Sequence, residues 1–385
     1  MNERAILHMD LDSFFVSVER LKNTRFVGKP LIIGGSSNRG VVASCSYETR
    51  KFGVRSAMPM RLARRLCPDA IVISGDMESY SKYSQVVTDI IQEKSPRYEK
   101  SSIDEFYLDL TGMDRFFGSY KWAQELRTTI SDETGLPLSM ALSVNKLVSK
   151  MGTNEVKPDN HTQVLAGKER PFIAPLSVSK IPMVGEKTAG KLFSMGVKTI
   201  RTLREIPPKM LEVEFGKNGL ALWEKANAID HSPVEMYREQ KSLSTETTFH
   251  EDTTDTVFLR STLVKLTESL AFELRDLEKL TACVTVKIRY SDFNTLTIQK
   301  QIPYSANDNT LITTAKELFD KLFERRLLVR LIGVRFSHLV QGSPQINLFE
   351  DTHEMVNLCQ AMDQIRHKYG PKSVSRAVGF TRMNE

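Results

Sequence analysis

Acidic residues interrupt two apolar, strand-like segments that lie far apart in this chain. Residues 5–12 carry Asp10, and residues 102–109 carry Asp104 and Glu105. An unpaired carboxylate inside an apolar strand is costly, and a bound cation would compensate for its charge. Because Mg²⁺ prefers oxygen ligands and takes about one or two protein carboxylates beside substrate phosphates, this sparse set predicts a nucleotide-handling site with a pair of Mg²⁺ ions. For any single aspartate, capping a strand or pairing with an arginine is the alternative interpretation.

Length and composition limit the class of protein. The chain has 385 residues, a net charge of +6 and a pI near 9.0. This length predicts roughly two to four domains, and the mild positive charge permits a nucleic-acid partner. The cysteines have no Cys-x-x-Cys spacing, so we expect neither a zinc site nor a disulfide framework, and we expect a reducing cytoplasm. No apolar run approaches the roughly 20 residues of a membrane span, so we expect no membrane insertion.

The spacing of apolar residues divides the chain into segments. Residues 5–165 alternate strand-like and helical patterns, which is typical of an α/β or α+β domain. Residues 171–232 have helical spacing broken by glycines and prolines, and residues 233–241 are polar and predict a linker. Residues 242–340 follow a strand-helix-strand-strand-helix-strand order, which predicts a small sheet with both helices on one face.

Charge is distributed unevenly within the last of these segments. Residues 251–278 hold seven acidic and three basic residues, whereas the strand segments 281–303 and 325–340 together hold seven basic residues and one acidic residue. We therefore expect a positive open face on the sheet, suited to a phosphate backbone; blocking edge-to-edge aggregation is the commoner role of such residues. The candidate DNA-binding residues are Lys287, Arg289, Lys300 and Arg330.

Residues 181–192 (IPMVGEKTAGKL) place an apolar, glycine-containing turn directly before a helix. The segment resembles a helix-hairpin-helix motif, in which backbone N–H groups, here those of Val184 and Gly185, hold a DNA phosphate without reading its sequence. Lys187 and Lys191 lie one helical turn apart and would reinforce that contact. Met183 stands where the motif usually has its first glycine, and a side chain there can tilt the hairpin. An ordinary glycine-containing helix–helix turn is the alternative.

Together these features resemble the Y-family of translesion DNA polymerases, most closely its DNA polymerase IV branch. The resemblance spans residues 5–340 and rests on residues 8–15 (HMDLDSFF), 45–54 (CSYETRKFGV) and 102–108 (SIDEFYL), in this order. It implies a multidomain α+β fold: a right-hand polymerase with a ferredoxin-like palm, small fingers, a helix-hairpin-helix thumb and a βαββαβ little finger. The implied boundaries are 1–12 and 76–165 for the palm, 13–75 for the fingers, 166–232 for the thumb, 233–241 for the linker, 242–343 for the little finger, and 344–385 for a clamp-binding motif and tail.

The resemblance also implies roles for the acidic residues. Asp10 and Asp104 would bridge two Mg²⁺ ions, with the main-chain carbonyl of Leu11 as a further ligand. Glu105 would hold the catalytic ion near the primer 3′-hydroxyl, which attacks the α-phosphate in line. The nearby Asp12 is interpreted as a hydrogen-bonding residue, since Mg²⁺ seldom recruits so many carboxylates.

Four further residues match positions that bind the incoming dNTP in the family. Tyr47, Arg50 and Lys157 would grip its triphosphate, for which an arginine fork, a lysine ammonium and a tyrosine hydroxyl are suitable donors. Phe15 would be the steric gate, a ring packed where a 2′-hydroxyl would sit. A plain core phenylalanine is the alternative for Phe15.

Residues 345–349 (QINLF) resemble the pentapeptide that binds the replication sliding clamp. Gln345 would fill a polar subsite, and Leu348 and Phe349 would enter an apolar pocket. The tail that follows has apolar residues at helical spacing. A docking helix, a DNA contact and a solvated extension all remain open for it.

The resemblance implies a template-directed, low-fidelity, distributive DNA polymerase that extends primers past damaged bases. Its expected partners are primer-template DNA, dNTPs and the sliding clamp, and a cytoplasmic monomer is expected. One alternative is a catalytically silent relative that acts as a clamp and DNA-binding adaptor, which the intact Asp10, Asp104 and Glu105 oppose. The second alternative is a nucleotidyl cyclase on a palm-like fold, and the presence of the hairpin and the little finger argues against it.

Overall fold

The structure, a computed structural model, describes residues 4–35, 37, 39–95, 97–113, 118–237, 239–324, 327–342 and 352–379. The chain forms two compact units, Met1–Arg238 and Glu239–Glu385. All four cysteines are buried and free. Among the described helices, none combines the length and the apolar character needed to cross a membrane.

The elements of the first unit follow one another as short strands and helices. Its strands are β1 (Ile6–Leu11), β2 (Leu31–Gly34), β3 (Val42–Cys45), β4 (Ile71–Ile73), β5 (Tyr98–Lys100), β6 (Glu105–Asp109), β7 (Leu138–Ser143) and β8 (His161–Gln163). Its helices are α1 (Phe14–Lys22), α2 (Tyr47–Arg50), α3 (Met60–Leu66), α4 (Met77–Lys94), α5 (Ser119–Thr134), α6 (Lys146–Val156), α7 (Glu169–Ile173), α8 (Glu186–Ser194), α9 (Ile200–Glu205), α10 (Pro208–Phe215) and α11 (Lys217–Ala226).

The second unit has four strands and three helices within its described residues. They are β9 (Ser242–Thr253), α12 (Thr256–Asp276), β10 (Lys279–Tyr290), β11 (Thr295–Ser305), α13 (Asp308–Leu322), β12 (Val329–Gln341) and α14 (Thr352–Tyr369).

A five-stranded sheet in the order β5-β6-β1-β7-β8 lies at the centre of the first unit. Strand β1 is antiparallel to both β6 and β7. Leu7, Met9 and Leu11 alternate along β1 and pack into the core with buried residues of α4 and α5. Because successive side chains of a strand point to opposite faces, His8 and Asp10 lie on the other face of the sheet.

Helix α6 covers that other face. Asn145 caps its first turn, accepting a hydrogen bond from the Val148 N–H. Gly152 allows the helix to lie close to the sheet, since an added Cβ would stand 2.8 Å from the Cβ of Ala141 on β7. Ser149 Oγ lies 2.7 Å from the carbonyl oxygen of Ile6 on β1. The helix therefore delivers its polar residues directly above β1.

Two smaller clusters complete the first unit. The sheet β3-β2-β4 has its own core, which includes Val42, Val54 and Met60. Helices α7 to α11 pack around a third core that also receives Leu147 and Met151 of α6. The short helices predicted for residues 171–232 are confirmed.

The predicted strand and helix order of the second unit is confirmed. Its antiparallel sheet has the order β11-β10-β12-β9. Val284, Val286 and Ile288 of β10 are fully buried in one core with residues of α12 and α13. Both helices therefore lie on one face, and Lys287 and Arg289 point to the open face.

The register corrects one predicted position. Lys300 stands opposite Val284, whose side chain faces the helices, and its ammonium lies 2.7 Å from Glu317 of α13. Since directly paired residues of antiparallel strands share a face, the prediction that Lys300 belongs to the positive open face was wrong. Arg335, exposed and opposite Thr285, lies on that open face.

Helix α14 docks against the helices of its own unit. The Arg275 guanidinium of α12 contacts Asp308 of α13 at 2.5 Å and Asp363 of α14 at 2.6 Å, so one side chain ties three helices together. Arg366 of α14 lies 3.5 Å from Glu268 of α12, and both side chains are 4% exposed. Of the roles left open for the tail, docking is the one that the structure shows for this helix.

The buried pair predicts the effect of removing Arg366. We expect Arg366→Ala to lower the free energy of unfolding of the second unit by about 2 kcal/mol, because the buried Glu268 carboxylate would lose one of its two arginine partners and keep Arg376, whose Nε lies 3.5 Å away. Denaturant unfolding read through amide exchange of α12 measures this loss. Gln364→Ala, an exposed position on the same helix, is the matched control. Equal unfolding of the two variants would contradict the assignment of α14 as a stabilising element.

Candidate active site

The backbone brings three acidic residues to one edge of the β1–β6 pair. Asp10 stands directly opposite Glu105 in the ladder, and the Leu11 N–H donates to the carbonyl oxygen of Asp104 at 3.0 Å. Asp104 is partly exposed and accepts a hydrogen bond from Ser102 Oγ at 2.5 Å. The pairing of β1 with β6 thus brings together residues that are far apart in sequence.

The acids influence one another electrostatically. Burial raises the pKa of Asp10 to about 6; Lys157, whose ammonium lies 2.5 Å from Asp10, opposes this, while Asp104 and Glu105 add to it. Burial alone would also raise the pKa of Glu105, but its contacts with His8 and Lys150 outweigh burial and lower that pKa to about 2. The site therefore concentrates negative charge that neighbouring cations partly neutralise.

Two residues beside Glu105 were not selected from the sequence. His8 Nε2 and Lys150 Nζ each lie 2.5 Å from Glu105 Oε1. The other ring nitrogen of His8 lies 2.8 Å from Thr153 Oγ1. Burial lowers the pKa of His8, which favours a neutral ring as the hydrogen-bond donor to Glu105.

Helical spacing was the signal that could have identified these residues. Lys150, Thr153 and Lys157 are separated by three and four positions, which places them on one side of α6 and its C-terminal cap. All three contact residues of β1 or β6.

Asp12 forms hydrogen bonds, as predicted. Its side chain is 1% exposed and accepts from Tyr47 OH at 2.9 Å, Ser139 Oγ at 2.7 Å and the Asp159 N–H at 2.7 Å. One carboxylate thus joins α2, β7 and the segment after α6. Asp12 holds Tyr47 beside β1.

The candidate triphosphate residues lie around these acids. Helix α2 begins after Ser46, which caps Thr49, and it carries Tyr47 and Arg50 with the guanidinium 4.6 Å from the tyrosine ring centroid. Burial and the adjacent Asp12 raise the pKa of Tyr47 above its usual range, so it remains a hydroxyl donor. Tyr47 contacts Asp12 of the segment that carries Asp10, and Lys157 contacts Asp10 itself.

The adjacent aromatic residues of α1 have different environments. Phe14 is 2% exposed and belongs to the core. Phe15 is only partly buried and stacks on Tyr80, with ring centroids 4.2 Å apart and planes 11° apart. The stack holds the Phe15 ring in one orientation at the edge of the core.

The predicted hairpin in the helical segment has an unusual turn. Met183 takes a left-handed conformation with a φ of 71°, and its side chain is 94% exposed. The backbone thus adopts the conformation that glycine favours, at a cost of about 1–2 kcal/mol, while the side chain points into solvent. Gly185 caps α8, whose first N–H groups are free of intrahelical partners.

The hairpin lysines differ in their contacts. Lys191 lies 2.7 Å from Glu214 and 4.9 Å from the centroid of the Phe215 ring. Lys187 is exposed and forms no ion pair with any residue that the structure describes.

Within the described ranges, no three His, Cys, Asp or Glu side chains stand close enough together to enclose a metal ion unaided. Asp10, Asp104 and Glu105 nevertheless supply hard oxygen donors on neighbouring backbone positions. The predicted clamp residues Gln345, Leu348 and Phe349 lie outside the described residues.

Profiles of known protein families match most of this chain. The impB/mucB/samB family profile matches residues 9–154, and the profile of that family's C-terminal domain matches residues 240–348. A profile described as the thumb domain of DNA polymerase-iota matches residues 179–230.

Curated relatives and a solved structure agree with these matches. The chain is 39% identical to a DNA polymerase IV of Dehalococcoides mccartyi over 97% of both chains. It is 36% identical to that of Desulfatibacillum aliphaticivorans over 99% of this chain and 98% of the relative. A Y-family DNA polymerase chimera shares the fold, with a TM-score of 0.77 at 24% identity, over 88% of this chain and 100% of the chimera.

Proposed function

Because the chain belongs to the impB/mucB/samB family, in which its relatives are named DNA polymerase IV, we propose that it is a DNA-directed DNA polymerase for translesion synthesis. The observation that supports this most is the meeting of Asp10, Asp104 and Glu105 at one sheet edge. Candidate triphosphate-binding side chains lie beside the same edge.

The donor set of this edge fits divalent cations. Asp10, Asp104 and Glu105 would hold two Mg²⁺ ions together with the Leu11 carbonyl. The pKa of Asp10 is raised mainly by burial and further by Asp104 and Glu105, and a bound cation would stabilise its charged form. When bound, the ions lower the pKa of the primer 3′-hydroxyl and neutralise the leaving pyrophosphate.

The chain's own side chains bind and orient the nucleotide. Arg50 and Lys157 provide charge-assisted donors for the β- and γ-phosphates, and Tyr47 adds a hydroxyl held in place by Asp12. Lys157 can serve both Asp10 and a phosphate, since an ammonium group has several donors.

Loss of the acids tests the reaction directly. We expect Asp10→Ala or Asp104→Ala to abolish nucleotide incorporation, while primer-template binding persists through phosphate contacts elsewhere. Primer extension and fluorescence anisotropy measure the two properties. Asp109→Asn is the matched control, because it removes one charge from β6 and retains the oxygen that accepts from the Thr111 N–H. Incorporation by either purified alanine variant would overturn the site assignment.

The steric gate is proposed at Phe15. We expect Phe15→Ala to admit ribonucleotides at least about tenfold more readily relative to deoxynucleotides, equivalent to about 1.4 kcal/mol, because the ring no longer opposes a 2′-hydroxyl. Single-nucleotide kinetics give this ratio within each enzyme. Phe14→Leu alters the neighbouring core ring and is the control. If only Phe14→Leu loses sugar selection, the gate is misplaced by one residue.

DNA contacts are proposed at the hairpin and on the open face of the second unit's sheet. At the hairpin, the N–H groups of Val184 and Gly185, with Lys187 and Lys191, would hold a phosphate. On the sheet, Lys287, Arg289 and Arg335 lie on the open face, with Glu246 as a partner of Lys287 at 2.7 Å. Arg330, 4.7 Å from the centroid of the Phe293 ring, remains a candidate.

The two faces of this sheet provide a matched comparison. We expect Lys287→Ala, Arg289→Ala or Arg335→Ala each to weaken primer-template binding. Each should also make the slope of log K against log salt concentration shallower by about one. Lys300→Ala should leave both unchanged, because Lys300 lies on the helix-covered side. Anisotropy titrations across a series of salt concentrations measure the slope. Equal effects at Lys300 and Arg335 would remove the proposed role of the open face.

A sliding clamp is proposed as the partner that tethers this monomer to DNA. Leu348 and Phe349 would be the apolar anchors, each contributing on the order of 2 kcal/mol. We expect Leu348→Ala/Phe349→Ala to weaken clamp binding by more than about tenfold and to remove clamp stimulation. Product length on primed circular DNA with the clamp loaded is the measurement. Stimulation equal to that of the wild type would place the clamp contact elsewhere.

A further inference from the structure

Two side chains outside the proposed ligand set contact one oxygen of Glu105, and a third side chain contacts one of these two. We propose that His8, Thr153 and Lys150 are positioning residues, which fix the Glu105 carboxylate so that its second oxygen faces the reacting centre. This inference rests on the proposed role of Glu105 in the polymerase site.

The closest contacts of His8 and Lys150 are with the same carboxylate oxygen. His8 Nε2 and Lys150 Nζ both lie 2.5 Å from Oε1 of Glu105. No described residue forms a hydrogen bond with Oε2 of the same carboxylate. A carboxylate held by two donors at one oxygen loses its rotational freedom, and the other oxygen remains available to a cation or to water.

Glu105 decides which nitrogen of His8 carries the proton, and Thr153 contacts the other nitrogen. A carboxylate oxygen only accepts, so the ring nitrogen that faces Glu105 must be the N–H. The neutral ring then presents Nδ1 as an acceptor, and Thr153 Oγ1 lies 2.8 Å from it. The carbonyl oxygens of Ser149 and His8 lie farther from that hydroxyl, at 3.1 and 3.2 Å. Donation from Thr153 to His8 satisfies both contacts of the ring.

The backbone explains why these residues meet. His8 lies two positions before Asp10 on β1, so both share the sheet face that carries Glu105. Thr153 and Lys150 come from α6, which Gly152 allows to approach β7 closely. The sheet thus supplies the carboxylate and the imidazole, and the helix supplies the donors that orient them.

Two substitutions at Thr153 separate positioning from packing. Thr153→Val keeps the shape of this fully buried side chain and removes its hydroxyl, whereas Thr153→Ser keeps the hydroxyl. We expect Thr153→Val to lose about 10- to 100-fold in kcat or in affinity for the divalent ion, with little change in the dNTP KM. We expect Thr153→Ser to restore most of this loss.

Two measurements do not depend on turnover. Long-range ¹H–¹⁵N spectra of the apoprotein should show the His8 proton on Nε2 in the wild type and in Thr153→Ser. In Thr153→Val, the ¹⁵N chemical shifts of the two His8 ring nitrogens should change. The protein with dideoxy-terminated primer-template and dNTP can be titrated with Mn²⁺ by electron paramagnetic resonance. Thr153→Val should bind Mn²⁺ about tenfold or more weakly than Thr153→Ser.

The outcomes distinguish this inference from the proposed function. Wild-type kcat and Mn²⁺ affinity in Thr153→Val, or equal losses in both variants with equally lowered melting temperatures, would overturn the positioning role. Lys150→Met should lower kcat at saturating divalent ion, and Lys150→Arg should restore it; equal kcat in these two variants would remove Lys150 from the set. If Glu105→Gln retains full incorporation, the role of Glu105 itself fails, and the His8 spectra remain a separate observation.

Discussion

Antiparallel pairing of β1 with β6 is the interaction on which the candidate site depends. It places Asp10 opposite Glu105 and brings Asp104 to the Leu11 N–H, so carboxylates from distant parts of the chain share one sheet edge. The opposite face of β1 is apolar and packs into the core of the first unit. Because a one-residue shift in register would reverse the faces, burial of that core also holds the acids in place.

Helix α6 complements this sheet with positive charge and hydrogen-bond donors. Lys157 contacts Asp10, Lys150 contacts Glu105, and Thr153 contacts His8. A cluster of carboxylates on a partly buried face would be unfavourable without such partners, since burial disfavours charge. Leu147 and Met151 of the same helix pack into the core of the α7–α11 segment. Helix α6 therefore contacts both the candidate site and that segment.

The two faces of the sheet in the second unit differ in what they contact. Its helical face is closed by α12 and α13, and Arg275 links these helices to α14 through partly buried ion pairs. Its open face carries Lys287 and Arg289 of β10 and Arg335 of β12. Helix α14 therefore packs on the helical layer, where it contacts α12 and α13.

Local patterns in the sequence were sufficient for the elements and for the family. Alternation of apolar residues identified β1 and β10, and the acidic, tyrosine-arginine and Lys157 segments matched family positions. Tertiary structure alone decided three other points. Lys300 faces a helix because of strand register, Met183 keeps a left-handed turn because its side chain can reach solvent, and Arg366 docks on Glu268. His8 and Thr153 also required the fold, because register and helix packing join residues that share no local pattern, and only the folded chain brings such residues within hydrogen-bonding distance.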